Sequence, residues 1–145
     1  MKTIKLVSTF AFALMFISCT GNAQEKTTKQ TNSANKIEVL DFYSTHRCMT
    51  CNAIEANTKY TLETYFSEEL KTGRITFKAV NVDDDINFKI SEKFEASGTA
   101  LFLNVIVNGK EKKINLTDFA FMKGNDQEEF SMELKNKIEK ELQKM

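Results

Sequence analysis

Leu101-Phe102-Leu103-Asn104-Val105-Ile106-Val107 is the most strongly strand-like segment of this 145-residue chain, apolar at every position but one. Asn108-Gly109 follows directly, and this dipeptide supplies the positive φ angles that a two-residue hairpin needs. The chain is therefore expected to return as an antiparallel strand over Lys110 to Leu116. Lys110, Lys112 and Lys113 suit an edge protected by charge better than a basic binding patch. A second apolar run, Ile37 to Tyr43, reads as a buried strand that ends at the polar cluster Ser44-Thr45-His46-Arg47.

Between these runs the pattern turns helical. From Cys51, the residues Ile54, Leu62, Tyr65, Phe66 and Leu70 fall at helical spacing until Gly73, which predicts a single helix. Arg74 to Val82 reads as a strand closed by the turn Asp83-Asp84-Asp85. Ile86, Ile90 and Phe94, four apart, predict a short helix. Thr117 to Gly124 reads as an apolar loop or turn, and Gln127 to Leu142 as a closing helix with Phe130, Leu134, Ile138 and Leu142 on one face. Strand, helix, strand, helix, strand, hairpin strand, helix is an α/β order. It implies a parallel central pair flanked by helices, with one antiparallel addition.

The first 36 residues read as an address and a tether. Lys2 and Lys5 precede an apolar run from Leu6 to Ile17, the n-region and h-region of a secretory signal. At about 12 residues this run is short of the roughly 20 that span a bilayer. Two exits fit: Cys19, behind Ser18, sits where a bacterial lipoprotein is cleaved and acylated, and Gly21-Asn22-Ala23 offers small residues to an ordinary signal peptidase. Residues 20–36 are polar and read as a flexible linker, which leaves 37–145 as the folded domain. The whole chain carries 20 basic and 20 acidic side chains, and loss of residues 1–19 leaves 18 against 20. That balance argues against nucleic acid as a partner, since phosphate neutralisation needs an excess of Lys and Arg. The N-terminal signal implies an exported, periplasmic-side location, with the membrane as a partner through an N-terminal lipid anchor if Cys19 is acylated.

A domain of this size needs no staple to hold a core, so Cys48-Met49-Thr50-Cys51 calls for a chemical explanation. Two cysteines so spaced at the start of a helix can close a small disulfide ring. The first lies where free N–H groups and the positive end of the helix dipole favour a thiolate. Arg47, with His46, adds positive charge there, which makes Cys48 the attacking nucleophile and Cys51 the resolving thiol of thiol–disulfide exchange. The redox-active disulfide would then be the whole cofactor. A structural disulfide is the plain alternative, although so tight a loop closes little chain. For His46, the chain's single histidine, a solvated loop position competes with a catalytic one. Cys48 and Cys51, with His46, would also suit a soft metal or arsenite, whereas a zinc site normally needs a second pair of ligands.

Leu40-Asp41-Phe42-Tyr43 leading into this motif, then Asn81-Val82-Asp83, Gly98-Thr99-Ala100-Leu101 and Asn108-Gly109-Lys110, resembles the thioredoxin-like superfamily over residues 37–145. The resemblance implies a three-layer α/β fold: a central four-stranded mixed sheet with flanking helices. The stretch Arg47-Cys48 to Cys51, ending at Ile54-Glu55, more narrowly resembles small exported Bacteroidetes proteins known as a nitrophenyl-compound nitroreductase subunit, ArsF-like, associated with arsenic-resistance gene clusters. Flavin and nicotinamide fingerprints such as G-x-G-x-x-G are missing from the sequence. A nitroreductase role would therefore be that of a dithiol electron relay served by another protein.

Position by position, the resemblance makes Cys48 the nucleophile and Cys51 the resolving cysteine, and places Asp41 near a buried acid that helps deprotonate the resolving thiol. Asp41 lies seven residues before Cys48, one more than the usual spacing, and a strand-end acid bonded to backbone is the competing reading. Arg47 stands where the family commonly has Trp, and Ala100 where it has a cis-proline. A cis bond before a residue other than proline costs about 2.5–4 kcal/mol, so Thr99-Ala100 is expected to be trans. Thr99 would keep the family's pairing with a substrate strand. Loss of the proline ring at Ala100 would make metal or metalloid binding by the thiols easier. The function implied is an exported, membrane-tethered thiol–disulfide oxidoreductase or dithiol relay whose partner is a disulfide-bearing or electron-donating envelope protein. A soft-metal or arsenite binder and a non-catalytic adaptor are the alternatives.

Overall fold

The structure, a computed structural model, describes residues 35–145. The expected signal with Cys19, and the polar segment as far as residue 34, lie outside the described residues. β1 (Lys36–Tyr43) leads into α1 (Met49–Tyr65) and α2 (Ser67–Thr72), then β2 (Ile75–Asn81), a 3-10 turn (Asp85–Asn87) and α3 (Phe88–Phe94). β3 (Ala100–Val107), β4 (Lys110–Asn115), α4 (Thr117–Lys123) and α5 (Gln127–Leu142) complete the chain. The strands form one sheet in the order β2-β1-β3-β4. β1 pairs parallel with β2 and antiparallel with β3, and β4 is antiparallel to β3. Two pairings are therefore antiparallel where one was expected: the loop after α3 delivers β3 against β1 from the opposite direction.

Side chains alternate across the two inner strands, and the layers follow from that alternation. Ile37 and Val39 of β1 and Leu101, Leu103 and Val105 of β3 face a core closed by Ile54 and Leu62 of α1, Phe119 of α4, and Phe130, Leu134 and Ile138 of α5. Leu40, Phe42 and Phe102 face the other way and meet Phe94 of α3. There the rings of Phe42, Phe94 and Phe102 form a triangle with centroids 5.3–5.8 Å apart. This is the expected α/β three-layer arrangement, a mixed sheet between helices. No helix among the described residues is long and apolar enough to cross a membrane.

The hairpin forms as the sequence predicts, with Asn108 at φ 51° and Gly109 at φ 75°, the two left-handed positions of its turn. β4 is one of the two edge strands, and its lysines are exposed. Three local expectations need correction. The single helix up to Gly73 is two, because Phe66 leaves helical dihedrals (φ −132°, ψ 29°) with its ring buried in the core. Ile86 lies in the 3-10 turn, 91% exposed, and not on a helical face, since helix begins only at Phe88. Thr117–Lys123 is a helix rather than a loop. Asn115 Oδ1 accepts the Thr117 N–H at its start, and Phe119 and Ala120 are buried beneath it.

Candidate active site

The loop Ser44–Arg47 connects the end of an inner strand to the start of α1, so Cys48 emerges at the rim of the sheet. Cys48 is the N-cap of α1 and its Sγ accepts the Cys51 N–H at 3.1 Å, which ties the sulfur to one of the four N–H groups a helix leaves free at its start. Cys48 and Cys51 are joined by a disulfide with Cα atoms 5.1 Å apart. Their exposure differs sharply: Cys48 and Met49 are exposed, whereas Cys51 is 7% exposed. The geometry offers a sulfur that an incoming group can reach and a second sulfur shielded one turn into the helix.

Asp41 lies on β1, the strand that leads into this loop. It is fully buried on β1, on the face of Ile37 and Val39 that meets α1, between Ala79 of β2 and Leu101 of β3 in register. Burial, which penalises the charged form, pushes its carboxyl up to about 7 against the pull of the Arg47 guanidinium. Its Oδ2 receives Arg47 Nη2 at 3.3 Å, while Oδ1 has no hydrogen-bond partner among the described residues. Asp41 is thus an interior acid rather than a strand-end group bonded to backbone.

Arg47 is placed differently from the sequence expectation. Its guanidinium does not serve as a free charge beside Cys48. It folds back over the Tyr43 ring, 3.7 Å from the centroid, and forms ion pairs with Asp41 and Glu55. Glu55 also holds Lys59, four residues on along α1. Burial would raise the Glu55 carboxyl, but the bonds from Lys59 and Arg47 outweigh it and hold the group below its ordinary range. Tyr43, Glu55 and Lys59 were not foreseen as site residues. The signals for them were the shared face of Asp41 and Tyr43 on one strand and the i, i+4 spacing of Glu55 and Lys59.

His46 is exposed in the loop. That loop is fastened to the far end of β2, where Asp83 accepts the Thr45 N–H at 2.7 Å and Asn81 donates to Thr45 Oγ1 at 3.2 Å. With both thiols in the disulfide, no group of three His, Cys, Asp or Glu side chains among the described residues could hold a metal ion. Thr99 and Ala100 lie where β3 begins, and Ala100 pairs with Phe42 of β1. Their peptide bond is trans, since no described peptide bond is cis. Both line a cleft of about 540 Å³ with Lys93, Lys113, Asn115 and Asp118, a cleft whose walls include neither cysteine.

A four-stranded mixed sheet between helices, with a C-x-x-C disulfide at the first strand–helix joint, defines a thioredoxin-like fold. The sequence matches no protein-family model and no curated protein. Among solved structures, the chain is similar to a malarial protein (19% identity, TM-score 0.39, covering 61% of this chain and 96% of that one). It is similar also to Fasciola hepatica thioredoxin (19% identity, TM-score 0.39, 61% and 76%). A third is the pair of first two thioredoxin domains of Naumovozyma dairenensis Eps1p (24% identity, TM-score 0.39, 61% and 33%).

Proposed function

We propose that the protein is an exported thiol–disulfide oxidoreductase, or dithiol electron relay, tethered to a bacterial membrane through an acylated Cys19 and working on an envelope partner protein. The observation that carries the reading is the asymmetry of the pair: an exposed Cys48 at a helix N-cap, bonded to a buried Cys51 with the interior acid Asp41 on the same side of the sheet. In the forward direction the reduced Cys48 thiolate attacks a partner disulfide and forms a mixed disulfide. Cys51 then attacks Cys48, the partner leaves as a dithiol, and two electrons have passed to it. Asp41, poised near neutral pH, takes the Cys51 proton. The reverse sequence oxidises the partner. In the narrower role suggested by the nitroreductase-subunit resemblance, the same dithiol hands electrons onward and a second protein reduces it.

Trapping in the native envelope tests this reading. In a Cys51→Ser variant the mixed disulfide on Cys48 cannot be resolved, so a covalent, reductant-sensitive adduct with a specific envelope protein is expected. An empty trap, together with stoichiometric arsenite held by the reduced wild type, would overturn the reading in favour of a soft-ligand site.

A further inference from the structure

Arg47 immediately precedes Cys48, yet three groups inside the protein hold its guanidinium. Nη2 lies 3.3 Å from Asp41 Oδ2, Nη1 is paired with Glu55 Oε2, and Cζ lies over the Tyr43 ring, 3.7 Å from its centroid. The side chain is only 19% exposed. Two carboxylates therefore compete for one cation. The bond to Asp41 is longer than the roughly 2.7–2.9 Å of a strong charge-assisted contact, and Glu55 takes the other terminal nitrogen of the guanidinium. Glu55 is itself steadied by Lys59 at 2.5 Å.

We propose that Arg47 and Glu55 are positioning residues of the exchange reaction: Arg47 acts on Asp41 rather than on Cys48, and Glu55 sets how much of the guanidinium charge Asp41 feels. This rests on the thiol–disulfide reading above. In the step concerned, Cys51 gives its thiol proton to the Asp41 carboxylate. The Cys51 sulfur then bonds to Cys48 Sγ, the bond from Cys48 to the partner sulfur breaks, and the electron pair leaves on the partner thiolate, which takes a proton from solvent. A stronger hold of Arg47 on Asp41 keeps the carboxylate ionised to lower pH, and a weaker hold does the reverse. The charged groups that act on Asp41 are Arg47 from the loop and Glu55 and Lys59 from α1. Its register neighbours Ala79 and Leu101 carry none.

The test uses the reduced full-length chain with Cys19→Ser, which leaves two thiols, and 5,5′-dithiobis(2-nitrobenzoate), which loads Cys48 and releases a second thionitrobenzoate when Cys51 resolves the adduct. The rate of that second release is followed against pH. Arg47→Met is expected to move its midpoint up by about one pH unit, and Glu55→Gln to move it down by a smaller amount. Arg47→Lys is expected to restore much of the wild-type profile. In an Asp41→Asn background, Arg47→Met should have no further effect. Iodoacetamide alkylation of Cys48 in a Cys51→Ser chain should keep its pH profile when Arg47 is replaced. A shifted alkylation profile with an unmoved resolution profile would overturn the proposal by placing Arg47 on Cys48. Shifts of the same sign for Arg47→Met and Glu55→Gln would also overturn it. Failure of the underlying reading is seen separately, as a wild-type chain that never releases the second thionitrobenzoate.

Discussion

Arg47 Nη2 stands 3.3 Å from Asp41 Oδ2, so the residue just before the Cys48–Cys51 pair is paired with a carboxyl that has no exposed surface. Burial outweighs that pairing and holds the Asp41 carboxyl near 7, above its ordinary 3.8. Between those pH values the folded chain keeps a proton that the unfolded chain has released. Asp41 therefore costs stability as pH rises from about 4 to 7, with no further change above. Relative to wild type, Asp41→Asn should gain on the order of a few kcal/mol across that window. Urea unfolding at a series of pH values checks this, and a difference that stays flat would contradict it.

The two cysteines should differ in reactivity once reduced. Cys48 is exposed at the N-cap and Cys51 is 7% exposed. Iodoacetamide at neutral pH is expected to modify Cys48 at least about tenfold faster, because the thiolate is both favoured and reachable there. Peptide mapping after a short pulse of reagent reads the ratio directly.

Gly124 brings the end of α4 against the first turns of α1. A Cβ at this position would meet Ala120 O at 2.6 Å, Ile54 Cγ1 at 2.9 Å and Thr50 Cγ2 at 3.2 Å. Its carbonyl also accepts Asn57 Nδ2 at 2.9 Å. Gly124→Ala should cost about 1–3 kcal/mol through overpacking. The denaturation midpoint should fall without a change in the slope of the transition.

The layer opposite α1 depends on one ring. Phe94 of α3 lies 5.5 Å from Phe42 and 5.3 Å from Phe102. Phe94→Ala should cost about 3–5 kcal/mol, and Phe94→Leu distinctly less. Thermal unfolding of the two variants orders them.

Much of this architecture was legible because its signals are local. The Asn108-Gly109 turn, the strand runs of β1 and β3, and the closing helix from Gln127 each depend on near neighbours, and so does the Cys48–Cys51 spacing at a strand–helix joint. The rest depends on contacts distant in sequence. The break at Phe66 does not disturb the spacing of Leu62, Phe66 and Leu70, so periodicity reads through it. In α4 four consecutive apolar residues, Phe119 to Met122, mask the buried face made by Phe119 and Ala120. The direction of β3 is set by which strand receives it, and nothing within Ala100–Val107 encodes that. Arg47 shows the same limit at the site. Its charge beside Cys48 was evident, but its direction is fixed by Asp41, Tyr43 and Glu55 together, and only the folded sheet and helix bring these to one place.

The redox equilibrium of the Cys48–Cys51 pair tests the central claim most directly. Equilibration of the full-length chain in defined thiol–disulfide buffers, with the reduced fraction read by alkylation, gives the midpoint potential. A working exchange dithiol should lie above about −300 mV, in the range of roughly −270 to −120 mV spanned by thioredoxin and stronger oxidants, with Cys48 readily alkylated when reduced. A potential below about −300 mV, with Cys48 inert to alkylation after forced reduction, would make the bridge a structural one and contradict the account.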